Sequence, residues 1–243
     1  MNIKRKIYQF LQTFLLIKDL GIKELEIKVH NTGGYHTPKY YPKKIEFIHL
    51  PKCGGSSFKK SMPSQLLEDT LHRPIALSDY IKIQNNNKID TKYITIIRDP
   101  VDRVWSFYQM CKNYRYHFAW SRYTNSLEHF LDKCWEVNNL YIQYFSLKIR
   151  SLDIDESHIE KALKTIKNFY FVLELENIND DWVAFKNKFF KDTKIQLNNF
   201  PDFNRNIYKS SPNKKEIEMI SLYNQYDLIF HKEIKNMKKE LFF

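Results

Sequence analysis

Residues 45–57 read Ile45-Glu46-Phe47-Ile48-His49-Leu50-Pro51-Lys52-Cys53-Gly54-Gly55-Ser56-Ser57. Its first six residues form a short apolar run that is typical of a buried β-strand. The proline and the two glycines that follow are typical of a turn, and the chain from Phe58 onward permits a helix. We therefore predict a strand, a glycine turn and the start of a helix.

Two later segments repeat this pattern. Residues 92–98 form a second buried-strand run, and Asp99-Pro100 then supplies a helix cap with proline at the first helical position. Residues 169–173 form a third run, before aromatic residues at helical spacing. This alternation predicts an α/β fold with a parallel sheet flanked by helices, in which ligands bind beyond the carboxyl ends of the strands. The glycine turn and Arg98 would both lie there.

The rest of the chain suggests one domain with an extension. With 243 residues, 43% of them hydrophobic, the chain can bury one sizeable core. Residues 1–44 are predicted to be an N-terminal extension, because glycines and prolines make much of it irregular. Residues 45–243 are predicted to be the domain, with further helices over residues 126–135 and 214–235.

The N-terminal residues and the cysteines indicate the cellular compartment of the protein. Residues 7–17 follow three basic residues and predict a short amphipathic helix, too short to span a bilayer but able to touch a membrane surface as a peripheral contact. The three cysteines are odd in number and lack C-x-x-C spacing, so neither a disulfide framework nor a metal site is predicted. We expect a cytoplasmic protein, with membrane association left open.

The charge indicates an anionic partner. The 39 Lys and Arg residues exceed the 28 Asp and Glu residues, which gives a net charge of +11. A nucleotide, an acidic glycan, a nucleic acid or a membrane surface would each satisfy such a charge. The basic residues are scattered along the chain instead of clustered, which disfavours nucleic acid.

The turn at residues 52–57 has the composition of a phosphate-binding loop. Glycines allow the backbone to approach an anion closely, Lys52 adds a positive charge, and Ser56 and Ser57 add donors. It is not a Walker A loop, in which the lysine follows the second glycine. The alternative is an ordinary turn between a strand and a helix.

Arg98 and Ser106 form a second candidate element. Arg98 ends the second predicted strand, and Ser106 lies about two helical turns further on, so both could face a second phosphate. Alternatively, Arg98 pairs with Asp99 or Asp102, and Ser106 is a small residue at a helix contact.

Taken together, the two elements resemble the nucleotide motifs of sulfotransferases that use 3′-phosphoadenosine 5′-phosphosulfate (PAPS). Residues 47–57 resemble the 5′-phosphosulfate loop and residues 96–108 resemble the 3′-phosphate motif. Weaker similarity extends the match over about residues 45–232. The carbohydrate branch, which includes heparan sulfate 2-O-sulfotransferase-like enzymes, is the most similar.

The resemblance implies a P-loop-like sulfotransferase fold, PAPS as co-substrate and no metal. It places Lys52 at the leaving group of the donor and Arg98 with Ser106 at the 3′-phosphate. The 5′ end of the donor would be held by Lys52, Cys53, Gly54, Gly55, Ser56 and Ser57. Cys53 stands where the family often has threonine or another small residue. A late loop at residues 209–211 would close over the nucleotide.

The acceptor needs a general base, for which His72 is the first candidate. Related glycan sulfotransferases carry a catalytic histidine between the two motifs, and histidine titrates near neutrality. Glu68 and Asp69 are the alternatives, and His72 could also be a surface residue. The branch resemblance favours a glycan acceptor, but a lipid-linked sugar and a protein tyrosine stay open.

Two other functions compete with this interpretation. A P-loop-like nucleotide kinase would need a magnesium-binding acidic residue at a strand end, where this chain has Arg98. A non-catalytic basic module would bind nucleic acid or membrane through the net charge of +11.

Overall fold

The computed structural model describes the greater part of the predicted domain. The described residues are 45–64, 66–69, 73–114, 118–148, 153–191, 197, 199–200 and 210–242. All of them belong to one compact unit, residues 41–243. The predicted extension at residues 1–44, with its membrane contact, lies outside the described residues.

The centre of the fold is a four-stranded sheet in which every pair of neighbours is parallel. The strand order is β2-β1-β3-β4, and the strands are β1 (Ile45–Ile48), β2 (Leu67–Asp69), β3 (Lys92–Ile97) and β4 (Phe171–Glu174). The predicted α/β fold with a parallel sheet is therefore confirmed. Strand β2 was not predicted, because three residues are too few to show a period.

Helices connect the strands and flank the sheet. They are α1 (Gly55–Ser61), α2 (Leu77–Gln84), α3 (Pro100–Tyr114), α4 (Phe118–Ser121), α5 (Leu127–Lys133), α6 (Leu140–Phe145), α7 (Glu156–Ile166), α8 (Ile178–Phe190), α9 (Lys214–Tyr223) and α10 (Gln225–Phe242). Two 3₁₀ turns lie at Trp135–Val137 and Leu175–Asn177. None of the helices in the described ranges is both long and apolar enough to cross a bilayer.

Two predicted helices differ from the observed ones. The helix predicted over residues 126–135 is α5, which begins one residue later because the Ser126 side chain accepts a hydrogen bond from the His129 N–H. The helix predicted over residues 214–235 is instead two helices, α9 and α10, separated at Asn224. That side chain is buried and is used in long-range hydrogen bonds, which replace the regular helical continuation.

The strand order reverses between β1 and β3, at the carboxyl edge of the sheet. The chain moves from β1 outward to β2, then returns to β3 and moves outward to β4 on the other side. The connections after β1 and β3 therefore diverge, and in open parallel sheets ligands bind where the order reverses. We call the space between the β1–α1 loop and the start of α3 the β1–β3 cleft.

Aromatic packing fixes α1 and α8 against one face of the sheet. The ring of Phe58 in α1 stacks on Phe47 of β1 at 4.4 Å, and its edge meets Trp182 of α8 at 5.8 Å. Phe185 of α8 lies 5.6 Å from Phe171 of β4. Because these rings are buried, the hydrophobic effect holds the β1–α1 loop in place at both ends.

A buried ion pair anchors α10. Arg103 of α3 and Asp227 of α10 are both fully buried, with Arg103 Nη2 3.5 Å from Asp227 Oδ2. Asp227 also accepts the N–H groups of Tyr141 and Ile142, each at 3.1 Å, at the start of α6. Burial raises the pKa of Asp227 to about 6, while the charge of Arg103 opposes that shift. One carboxylate thus joins α3, α6 and α10.

We predict that Asp227→Ala lowers the free energy of unfolding by about 3–5 kcal/mol, because it leaves Arg103 buried without a countercharge. Urea unfolding followed by circular dichroism measures this. The control is Asp132→Ala, which removes an exposed carboxylate that accepts from Tyr223 and should cost no more than about 1 kcal/mol. Equal losses in the two variants would contradict the structural role of the buried pair.

Candidate functional site

The loop after β1 has an unusual backbone. Lys52 has φ 67° and Gly54 has φ 83°, so both adopt the left-handed conformation. That conformation is natural for glycine but costs a lysine about 1 kcal/mol. A Cβ atom at Gly54 would also lie 2.8 Å from Leu175 Cδ1. The loop is therefore tightly turned, with Lys52 in a conformation that lysine rarely adopts.

Gly55 allows the loop to pass beneath a histidine. A Cβ atom at this position would lie 2.1 Å from Nε2 of His49, at the end of β1. No side chain fits without moving the imidazole ring. This contact explains the second glycine of the turn. Because α1 has only seven residues, the positive charge of Lys52 contributes more to the local potential than the helix dipole does.

Arg98 lies directly beside this loop. Its Nη1 donates to the backbone oxygen of Lys52 at 3.4 Å, and one quarter of its side chain is exposed. Asp102 is 3.9 Å away and half exposed, so this pair contributes little. Asp99 is not the partner of Arg98, because its Oδ1 accepts the N–H groups of Val101 and Asp102 as the cap of α3. The structure thus brings the two predicted elements together.

The ammonium of Lys52 contacts a thioether instead of an acid. Its Nζ lies 3.7 Å from Met110 Sδ, and no carboxylate of the described residues lies within ion-pair distance of it. Partial burial lowers the pKa of Lys52, and the neighbouring charge of Arg98 lowers it further. Two adjacent cations without a full countercharge favour the binding of an anion with more than one negative charge.

Ser106 lies between the two cations along α3. Asp102, Ser106 and Met110 are spaced by four residues and so form one row on the helix surface. Arg98 approaches one end of this row, at Asp102, and Lys52 approaches the other end, at Met110. The partly exposed Ser106 therefore lies on the face of α3 that Lys52 and Arg98 approach, and its role at a 3′-phosphate stays a prediction.

A residue of the predicted late loop lies next to this row. Trp105 Nε1 donates to the backbone oxygen of Ser210 at 2.6 Å. Ser210 is exposed. Because Trp105 is next to Ser106 in the chain, this bond places Ser210 near Ser106. Lys209 lies outside the described residues.

Sequence reasoning did not identify Tyr141, which connects the two sides of the cleft. Its hydroxyl accepts from the Arg98 N–H at 3.0 Å and donates to the Arg98 oxygen at 2.6 Å. The same hydroxyl lies 3.5 Å from Cys53 Sγ. The only signal in the sequence was that Tyr141 lies within residues 45–232, over which the chain weakly resembles sulfotransferases.

The thiol of Cys53 is not an activated nucleophile. Burial raises its pKa to about 11, although the nearby Arg103 opposes the shift. The other two cysteines, Cys111 and Cys134, are also free and buried. Because the thiolate is the reactive form, Cys53 contributes to the loop by packing and hydrogen bonding.

The candidate bases are only partly located. Strand β2 ends at Asp69 and pairs with β1, so the chain leaves β2 at the same edge of the sheet as the Lys52 loop. His72 lies outside the described residues, as do the side chains of Glu68 and Asp69. The choice among the three stays a prediction.

Two glutamates and a histidine near the end of β4 have the spacing of candidate metal ligands. Ligand atoms of Glu174, Glu176 and His231 lie within 4.8 Å of one another. However, Lys235 and Lys238 of α10 approach Glu174 at 3.0 and 3.6 Å. Their charges balance the buried carboxylate and repel a cation, so this group is better explained as the attachment of α10 to the sheet.

No protein-family model and no curated protein sequence matches the chain. The geometry of the β1–β3 cleft is therefore the main support for a functional proposal.

We predict that Gly55→Ala destabilises the protein, because its new methyl group collides with His49. The melting temperature should fall in Gly55→Ala and recover in part in the double variant Gly55→Ala/His49→Ala, where the ring is gone. Ser56→Ala changes an exposed neighbour in the same helix and serves as the control. Equal melting temperatures for Gly55→Ala and Ser56→Ala would refute the close approach.

Proposed function

We propose that the protein is a sulfotransferase that transfers a sulfuryl group from PAPS to a hydroxyl acceptor. The observation that carries this proposal is the convergence of Lys52 and Arg98 in the β1–β3 cleft, where Lys52 lacks a carboxylate partner among the described residues. The resemblance of the two sequence elements to sulfotransferase motifs supports the same conclusion. The strand order 2-1-3-4 is compatible with a P-loop-like sulfotransferase fold.

The two neighbouring cations suit a nucleotide that carries phosphate groups at both its 5′ and its 3′ positions. Lys52 and the turn at residues 53–57 would hold the 5′-phosphosulfate. Arg98 and Ser106 would hold the 3′-phosphate, with Ser210 beside them. Arginine suits the terminal phosphate because its planar guanidinium can donate two parallel hydrogen bonds.

The chemistry requires one bond to form and one to break at sulfur. The acceptor oxygen attacks the sulfur, and the bond from sulfur to the bridging phosphate oxygen breaks, releasing adenosine 3′,5′-bisphosphate. A base takes the proton of the acceptor hydroxyl. Negative charge develops on the bridging oxygen, where the ammonium of Lys52 would stabilise it.

The acceptor side follows from the resemblance. We propose a glycan acceptor and His72 as the base, with Glu68 or Asp69 as the alternatives. The parallel pairing of β1 and β2 supports a base near the end of β2, because β2 ends at the same edge of the sheet as the loop that carries Lys52. The three buried thiols agree with a reducing, cytoplasmic location.

The kinase alternative finds less support in the described residues. A kinase would need a carboxylate free to hold magnesium near the phosphates. The Asp99 carboxylate caps α3, and lysines already balance Glu174. Asp102 is exposed, but the Arg98 guanidinium lies 3.9 Å from it and repels a metal cation. The basic-module alternative would not require Lys52 and Arg98 to converge in one cleft.

We predict that Lys52→Ala lowers sulfuryl transfer by about 100-fold or more, as expected when one charge-stabilising donor is lost. The measurement is transfer from radiolabelled PAPS to a panel of glycans and tyrosine peptides. Lys59→Ala, which removes an exposed lysine of the adjacent helix, is the matched control and should keep its activity. Equal transfer by Lys52→Ala and the parent protein would remove Lys52 from the mechanism.

A further inference from the structure

Tyr141 closes a circuit of contacts around the β1–β3 cleft. Its buried hydroxyl bonds both backbone groups of Arg98, and the Arg98 guanidinium bonds the backbone oxygen of Lys52. Cys53 follows Lys52 in the chain, and its Sγ atom lies 3.5 Å from the Tyr141 hydroxyl oxygen. The two segments that carry the cations are thus held to each other by side chains as well as by the sheet.

We propose that Tyr141 is a positioning residue that sets the affinity of the cleft for the 3′-phosphate of the nucleotide, an inference that rests on the proposed function. Tyr141 acts through Arg98: it fixes the backbone from which the guanidinium extends. Preorganised donors bind an anion more tightly than mobile donors, because they lose less freedom on binding.

The position of Arg98 explains why this support is needed. Arg98 follows the last residue of β3, where the ladder of the sheet has ended. Among the described strands neither its N–H nor its C=O group has a ladder partner, and the hydroxyl of Tyr141 satisfies both groups instead. A phenylalanine at position 141 would fill the same space but leave both groups without this partner.

The placement of Tyr141 is itself rigidly determined. Its N–H is held by the Asp227 carboxylate, and the guanidinium of Arg103 lies 5.3 Å from the centre of its ring. Asn139, at the start of α6, accepts from the N–H groups of Tyr226 and Asp227. The hydroxyl therefore lies at a fixed point relative to both segments of the cleft.

The test compares Tyr141→Phe with Tyr144→Phe, which removes the hydroxyl of another buried tyrosine in the same helix. Calorimetry gives the affinities for adenosine 3′,5′-bisphosphate and for adenosine 5′-monophosphate. We expect Tyr141→Phe to lower the ratio of the two affinities by about tenfold and Tyr144→Phe to leave it unchanged. A loss of melting temperature with an unchanged ratio would reduce Tyr141 to a merely structural role and overturn the inference.

A double-mutant cycle tests whether the effect passes through Arg98. In an Arg98→Ala background, Tyr141→Phe should not change the ratio further, because the guanidinium is already absent. An independent second effect would contradict the inference. If Tyr141→Phe does not fold, Cys53→Ala opens the circuit at its other contact and should lower the ratio in the same direction; an unchanged ratio would count against the inference.

Hydrogen exchange separates this inference from the proposed function. Without ligand, the Arg98 amide should exchange faster in Tyr141→Phe than in the parent protein or Tyr144→Phe. If the parent protein binds neither nucleotide, the proposed function fails and so does the role assigned to the 3′-phosphate, whereas exchange still reports whether Tyr141 holds Arg98. Unchanged exchange of the Arg98 amide would contradict the role of Tyr141 whatever the ligand is.

Discussion

The hydrogen bonds between the Tyr141 hydroxyl and the backbone of Arg98 are the constraint on which the β1–β3 cleft depends. A parallel sheet brings the ends of its strands to one edge, but it does not control the chain after the last ladder bond. Here Tyr141 of α6 bonds the backbone of Arg98 just after β3 ends. The same hydroxyl also contacts Cys53 in the loop after β1. The buried pair of Arg103 and Asp227 in turn fixes the helix that carries this tyrosine.

The charged residues that hold the helices together are paired with opposite charges, whereas the two cations of the cleft are next to each other. The supporting charges are paired within the protein: Arg103 with Asp227, and Glu174 with two lysines. In the cleft, Lys52 and Arg98 lie close together, and the pKa of Lys52 is lowered first by burial and further by repulsion from the charge of Arg98. A polyanionic ligand would relieve this repulsion. The energy needed to bring the two cations together is therefore supplied by folding, before the ligand binds.

Local sequence patterns could predict the parts of the site that are local in the chain. Strands β1 and β3, the turn at Gly54 and Gly55, and the cap at Asp99 each have a signal within a few residues. The adjacency of Lys52 and Arg98 followed because parallel strands share one edge. Tyr141, Met110 and Asn224 could not be predicted in this way, because their partners are 43 to 121 residues away in the chain. Only the folded structure shows those contacts.

We propose that the β1–β3 cleft binds a nucleotide with phosphates at both its 5′ and its 3′ positions. Calorimetric titration of the full chain with adenosine 3′,5′-bisphosphate, with adenosine 5′-monophosphate and ATP plus magnesium as controls, tests it most directly. We predict tight binding of the bisphosphate and much weaker binding of both controls. No binding of the bisphosphate, or a preference for ATP with magnesium, would contradict the claim.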